Sequence, residues 1–102
     1  MSLSWACGLF EGEGCISPRL GSKRVYIRVG STDLDVLENF QKAVGCGAIH
    51  KRKAPTKSHW KQAWEWSCGK QSDVKRLLTS FLPLLGSRRA YVALNALDYM
   101  EL

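Results

Sequence analysis

The chain has no run of about 18 apolar residues, the length a helix needs to cross a bilayer, which argues against a membrane span. Its first residues, MSLSWACG, lack the basic start and apolar core of a signal peptide. The expected location is therefore intracellular, in cytoplasm, nucleoid or an organelle, and the protein is not expected to be secreted. There is no CxxC pair either. Cys7, Cys15, Cys46 and Cys68 are scattered, and with His50 and His59 they do not make the spacing of a zinc site. They read as small buried thiols in a reducing compartment, with a structural zinc as the minor alternative. Acidic residues are in deficit, nine against fifteen basic, for a net charge of +6. Ten of those fifteen fall between Arg19 and Lys61. A one-sided basic surface attracts polyanions and points to nucleic acid. The 102 residues suffice for one compact domain, residues 1–102, and a 45% hydrophobic content excludes disorder.

What is present is organised around Trp5 to Gly14, WACGLFEGEG. Ser4 or Ser2 can cap the start of a helix here, and Gly14 suits the residue after its end. A helix C-terminus already carries partial negative charge, so Glu11 and Glu13 are locally unfavourable unless something positive compensates. A divalent cation such as Mg2+ would accept carboxylate, carbonyl and water oxygens, which makes Glu13 a candidate ligand. An ordinary solvated acidic helix end is the alternative. Gly8 and Gly12 lie four apart on one helical face, so a second helix could approach that face closely.

After this helix come CISPRL, Cys15 to Leu20, a turn at Gly21 and Ser22, and KRVYIRV, Lys23 to Val29. Val25, Ile27 and Val29 alternate with Arg24, Tyr26 and Arg28, the pattern of a half-buried strand with a basic, aromatic outer face. Pro18 confines its strand to a sheet edge or a bulge. Ser31 to Asp33 supply an N-cap for a second helix through Leu34, Leu37, Phe40, Gln41 and Val44, ended by Gly45. A third strand spans Gly47 to Lys53, with His50 and Arg52 on one parity. Ala54 to Ser58 form a loop marked by Pro55, and a fourth strand spans His59 to Cys68. Trp60, Trp64, Trp66 and Cys68 share one of its faces; Lys61, Ala63, Glu65 and Ser67 share the other. Trp64 and Trp66 read as core, and Trp60 as core or as a platform for a base. Ser72 and Asp73 start a third helix through Val74, Leu77, Leu78 and Phe81, which Pro83 interrupts. A last helix runs from about Arg88 through Tyr91, Leu94, Leu97 and Tyr99. A strand-strand-helix unit thus occurs twice, and short links between strands favour an antiparallel sheet.

Ala6 to Gly14, ACGLFEGEG, resembles the nine-residue signature of the LAGLIDADG homing endonucleases, with both acids as Glu and with Ala6 and Cys7 where Leu and Ala are usual. Thr32 to Gly47 resembles the second helix of that family, and Phe81 to Ala90, FLPLLGSRRA, resembles the stretch that carries a basic residue into its active site. The resemblance implies an α+β, αββαββα fold of the single-motif type, with a four-stranded antiparallel saddle-shaped sheet and helices on one face. It also implies a site-specific DNA endonuclease. Glu13 would hold the metal, Mg2+ with Ca2+ or Mn2+ as substitutes, with a backbone carbonyl of the same helix end, Gly12. Arg88, or alternatively Arg89, would be the basic residue, and Glu11 would orient the helix end. The position that places water in the family falls on Val29, or after a small shift on Gly30 or Ser31.

Hydrolysis of a phosphodiester needs an in-line water, a cation on the phosphate and stabilisation of developing charge, the expected role of Arg88. One motif supplies one acid, whereas two strands need two sites. The economical solution is a homodimer packed through Trp5, Gly8, Leu9 and Gly12, which predicts a palindromic or nearly palindromic duplex target. The resemblance implies cleavage across the minor groove with short 3′ overhangs, and an association with intron mobility. Expected DNA contacts are Ser17, Arg19, Lys23, Arg24, Tyr26, Arg28, His50, Arg52, Lys61 and Glu65 on the outer sheet face, with Lys51, Lys53 and Lys57 touching phosphates. No small-molecule cofactor and no membrane partner are expected. The rival readings are a non-cleaving DNA-binding regulator and an RNA maturase of the same fold.

Overall fold

A computed structural model describes residues 2–53 and 61–101. The expected loop Ala54–Ser58, with Lys57, and also His59 and Trp60, lies outside the described residues. Helix α1, Leu3–Glu13, starts at Ser2, whose side chain accepts from the Trp5 amide, so of the two candidate caps Ser2 is the one used. It runs directly into β1, Gly14–Arg19, followed by β2, Arg24–Ser31, and α2, Leu34–Val44. Then come β3, Ala48–Lys51, β4, Trp64–Cys68, α3, Gln71–Phe81, a 3-10 turn at Leu82–Leu84 and α4, Ser87–Glu101.

The strands form one antiparallel sheet in the order β1-β2-β4-β3. Pro18 is therefore on an edge strand, as a residue without an amide hydrogen requires. Alternation along β2 separates the two faces: Val25, Ile27 and Val29 are fully buried, and Arg24 and Arg28 are exposed. All four helices cover the buried face, where Phe10 meets Phe81 at 5.3 Å and the edge of Phe40 meets Trp66 at 4.7 Å. Gln71 anchors α3 to the sheet by bonding both the amide and the carbonyl of Val25, at 2.8 and 2.9 Å.

Several expectations need correction. The fourth strand begins at Trp64 among the described residues, and Lys61–Ala63 precede it as irregular chain. Gly14 ends α1 with extended backbone, φ −82°, rather than in a left-handed turn; a Cβ there would lie 2.5 Å from the Phe10 ring, so it is close approach that demands glycine. The third helix begins one residue before Ser72, at Gln71 after the cap position Lys70. In α4 the buried positions are Ala93 and Ala96, whereas Tyr91 and Leu94 face solvent. Small side chains let that helix lie close, and the bulky ones are left outside.

The cysteines also divide. Cys7 and Cys68 are buried, Cys46 is half-buried and Cys15 is exposed, because Cys15 shares its sheet face with Ser17 and Arg19. Burial pushes the Cys68 thiol up to about 11. Hydrogen bonding to Ser17 and Arg28 draws the Cys15 thiol below its ordinary range.

Candidate nucleic-acid interface and active site

Because directly paired residues share a face, the register assigns the outer surface without ambiguity. Arg19, Ser17 and Cys15 of β1 lie opposite Arg24, Tyr26 and Arg28 of β2, while Ser67 and Glu65 of β4 lie opposite Arg28 and Gly30. His50 pairs with Glu65 and completes the row on β3. The side chains on this surface are tied to one another. Arg24 Nε donates to the Tyr26 hydroxyl at 3.2 Å, and its Nη2 donates to the Gly69 carbonyl at 3.1 Å. The guanidinium carbons of Arg19 and Arg24 lie 5.0 and 5.8 Å from the centre of the Tyr26 ring. The Arg24 hydrogen bond draws the Tyr26 phenol below its ordinary range. Arg28 reaches across to Ser17 Oγ at 3.3 Å.

Among the described residues Glu65 is the one acid in these rows, and its side chain is only 15% exposed. It binds His50 at 3.1 Å and Arg52 at 3.2 Å, and the Arg52 guanidinium lies over Gly30, where a Cβ would come within 2.6 Å of it. The result is a shallow groove lined by Ser17, Arg19, Tyr26, Arg28, His50 and Glu65, in which cationic forks are held by neighbours rather than waving in solvent. Arginine planes so fixed are suited to phosphate oxygens and to base edges. Lys23 lies at the β1–β2 turn with φ 57°, and Lys53 and Lys61 are exposed where β3 and β4 give way to irregular chain. Lys51 has the opposite parity: its ammonium lies 5.5 Å above Trp64, at the end of the sheet.

The end of α1 carries the second group of residues. Glu13 is exposed and lines a cleft with Leu9, Ser31, Thr32, Asp33 and Arg52. The cleft thus offers two carboxylates and two hydroxyls along its wall, oxygen groups of the kind a hard divalent cation takes, with the Arg52 cation beside them. Of the three positions considered for placing water, Val29 is buried and Gly30 is covered by Arg52, whereas Ser31 lines this cleft and accepts the Asp33 amide at 3.0 Å.

Arg88 lies elsewhere: it is exposed and lines a separate cleft with Glu11, Arg89 and Val92. Within one chain, then, the structure places Arg88 beside Glu11 rather than beside Glu13. The Glu11 carboxylate accepts the Gly86 amide, 3.3 Å from each oxygen. Arg89 donates to the carbonyls of Gly14 and Glu11 at 2.7 and 3.0 Å, and supplies positive charge where the helix dipole and two acids accumulate negative charge. That role was missed in the sequence, although the uncompensated acids signalled that a cation had to be found. Arg89→Ala is expected to cost about 2 kcal/mol by stranding two half-buried carbonyls, and Arg88→Ala less than about 0.5 kcal/mol. Urea denaturation of the two variants is the check.

Of the interface residues expected on α1, Gly8 and Gly12 are exposed, with no atom within 4 Å of where a Cβ would sit, and Trp5 and Leu9 are half-buried against the core beside them. A shallow strip with open space above it therefore runs along α1 toward Glu13.

No family model matches the chain, and no curated protein matches it. Solved structures do. The homing endonuclease I-CvuI superposes with TM-score 0.77 at 23% identity in a complex with an I-CreI target, and with TM-score 0.76 at 22% identity in a complex with its own target; each match covers 97% of this chain. The group I intron-encoded homing endonuclease I-CeuI, also complexed with DNA, superposes with TM-score 0.72 at 14% identity, covering 97% of this chain and 53% of its own. The chain has the homing-endonuclease fold. At these identities the likeness is one of architecture, and it agrees with the resemblance read in ACGLFEGEG. The chain spans 65% of the length of the I-CvuI chain. Among the described residues no helix is long and apolar enough to cross a membrane.

Proposed function

We propose that the protein is a LAGLIDADG-type, site-specific DNA endonuclease that works as a homodimer. The observation that carries the reading is the position of Glu13: an exposed carboxylate at the end of α1, in an oxygen-lined cleft, at the foot of the open Gly8–Gly12 strip. Packing two α1 helices through that strip would set one Glu13 from each subunit near the dyad, over the two strands of a duplex lying on the two basic sheet faces. Glu13 and the Gly12 carbonyl would hold the Mg2+, and the ion would supply Lewis-acid chemistry for phosphodiester hydrolysis. Arg89 keeps the end of α1 in place, and Ser31 is the hydroxyl nearest in kind to a water-positioning group. Arg88, exposed and beside Glu11, would meet backbone charge from the flank of the cleft. The twofold axis makes the target palindromic or nearly so, and cutting across the minor groove would leave short 3′ overhangs.

I-CvuI, a neighbour of this fold, was solved with its own target in Ca2+ and with an I-CreI target in Mg2+, which supports DNA and a divalent ion as partners. Incubation with a randomised duplex library and Mg2+, followed by sequencing of the ends, tests the proposal. Paired cuts at a twofold-symmetric sequence are expected. Selective binding without cutting would leave a regulator, and stimulated intron splicing a maturase.

The dimer has its own test. Gly8→Leu starts from open space, since a Cβ at Gly8 meets nothing within 4 Å outside its chain neighbours and its own helix backbone. It also improves helix propensity, by about 1 kcal/mol. The subunit should therefore melt no lower than wild type, while light scattering on the DNA complex should show the loss of twofold stoichiometry and no double-strand cutting. A wild-type chain that stays monomeric on DNA overturns the dimer.

A further inference from the structure

A second group of ligand-bearing side chains lies away from the sheet's outer face, where α2, β4 and α3 meet. Cys46 follows the αL cap Gly45, Cys68 ends β4 on its buried face, and Asp73 lies in the first turn of α3. The two sulfurs and a carboxylate oxygen all lie within 4.8 Å of one another. Cys46 and Asp73 are half-buried, so the group opens to solvent on one side while Cys68 closes it on the other. The geometry points to a site for a thiophilic divalent cation, with Zn2+ as the ion of matching chemistry, held by Cys46, Cys68 and Asp73.

Three features converge on this assignment. Two thiolates with one carboxylate form a soft-weighted donor set that selects zinc over magnesium. Tetrahedral zinc with bonds of about 2.3 Å to sulfur and about 2.1 Å to oxygen needs its ligand atoms roughly 3.5 to 3.8 Å apart. The three donor atoms lie within 4.8 Å of one another, near that spacing, and a three-ligand set leaves a fourth position for water. Charge is the third feature. Zinc with three anionic ligands leaves one net negative charge, and the Arg76 guanidinium is already in place to offset it, 3.4 Å from Cys46 Sγ and 3.7 Å from Asp73 Oδ1. Arg76 is fixed there by donating to the Val44 carbonyl at 3.1 Å, an outer-shell arrangement of the kind that supports metal ligands. The ion would staple the exit of α2 to the β4–α3 junction, so it belongs to the stability of the fold and is independent of the nuclease reading.

Cobalt(II) is the probe, added to the reduced chain under argon with a non-chelating reductant. The expected result is one Co2+ per chain with an intense near-ultraviolet thiolate-to-metal charge-transfer band and tetrahedral ligand-field bands, displaced by equimolar Zn2+, together with a rise in melting temperature. Cys46→Ser should lower the charge-transfer intensity per bound Co2+ to that of the single remaining thiolate, Cys68, and weaken Zn2+ binding by more than about 100-fold, beyond what the loss of an outer-shell partner costs. Should that variant unfold, Asp73→Asn takes its place; it removes no packed apolar group and is expected to weaken binding by at least about tenfold. Glu13→Gln should leave the band unchanged. Weak octahedral spectra without a charge-transfer band, or a band of undiminished intensity and affinity in the folded Cys46→Ser protein, overturn the assignment.

Discussion

Glu13→Gln is expected to lower the rate of duplex cleavage by about 10^3-fold while leaving binding of the same duplex intact or slightly tighter. The substitution keeps side-chain volume and removes only the charge. Glu13 is exposed, so the fold should lose less than about 0.5 kcal/mol. In metal-free binding buffer, removing a negative charge that would face phosphate favours association. The neighbouring acid gives the contrast that makes the result interpretable. Glu11→Gln alters a group already engaged with the Gly86 amide on the opposite flank of α1, so its consequences should be read in stability before chemistry. Single-turnover cleavage and gel-shift titration on one selected duplex are the measurements. A Glu13→Gln protein that cuts at close to the wild-type rate removes the basis of the proposed metal site.

The outer face was legible in the sequence because strand alternation is a local property. Once Val25, Ile27 and Val29 are assigned inward, Arg24, Tyr26 and Arg28 have nowhere else to go, and the register then carries Ser17, Arg19 and Glu65 onto the same surface. The choice between Arg88 and Arg89 was not legible. Adjacent residues on a helix point about 100° apart. Only the packing of α4 against β1 decides that Arg89, not Arg88, reaches the carbonyls at the end of α1. The same holds for α4 as a whole, where hydrophobicity favoured Tyr91 and Leu94 but close packing selected Ala93 and Ala96. Spacing could not reveal the proximity of Cys46, Cys68 and Asp73 for a related reason. These residues arrive from three separate parts of the chain and meet only after the sheet has formed. What a sequence exposes well is periodicity; what it hides is which of two neighbouring side chains a distant element will use.

Gly47→Ala is expected to be strongly destabilising, lowering stability by about 3 kcal/mol and the melting temperature by roughly 12 to 24 °C. Two independent costs meet at this residue. Its φ of 88° lies where a Cβ is strained against the backbone, worth about 1 to 2 kcal/mol. The new methyl would also fall 2.3 Å from Nε1 and 2.4 Å from Cε2 of Trp66. The indole has little freedom to yield. It is fully buried, its Nε1 donates to the Cys46 carbonyl at 2.8 Å, and the edge of Phe40 abuts it at 4.7 Å. Forcing it aside is overpacking, at about 1 to 3 kcal/mol. The reduced entropy of the unfolded alanine chain returns about 0.4 to 1 kcal/mol. Gly45→Ala is the internal control: it too has positive φ, 74°, but nothing lies within 4 Å of its methyl, so it carries the backbone cost alone. Thermal melts of the two variants separate the terms. If they fall by the same amount, Trp66 accommodates the methyl, and the β3 entry is softer than its contacts imply; if Gly47→Ala falls much further, the indole of Trp66 is the rigid wall against which the α2–β3 turn is built.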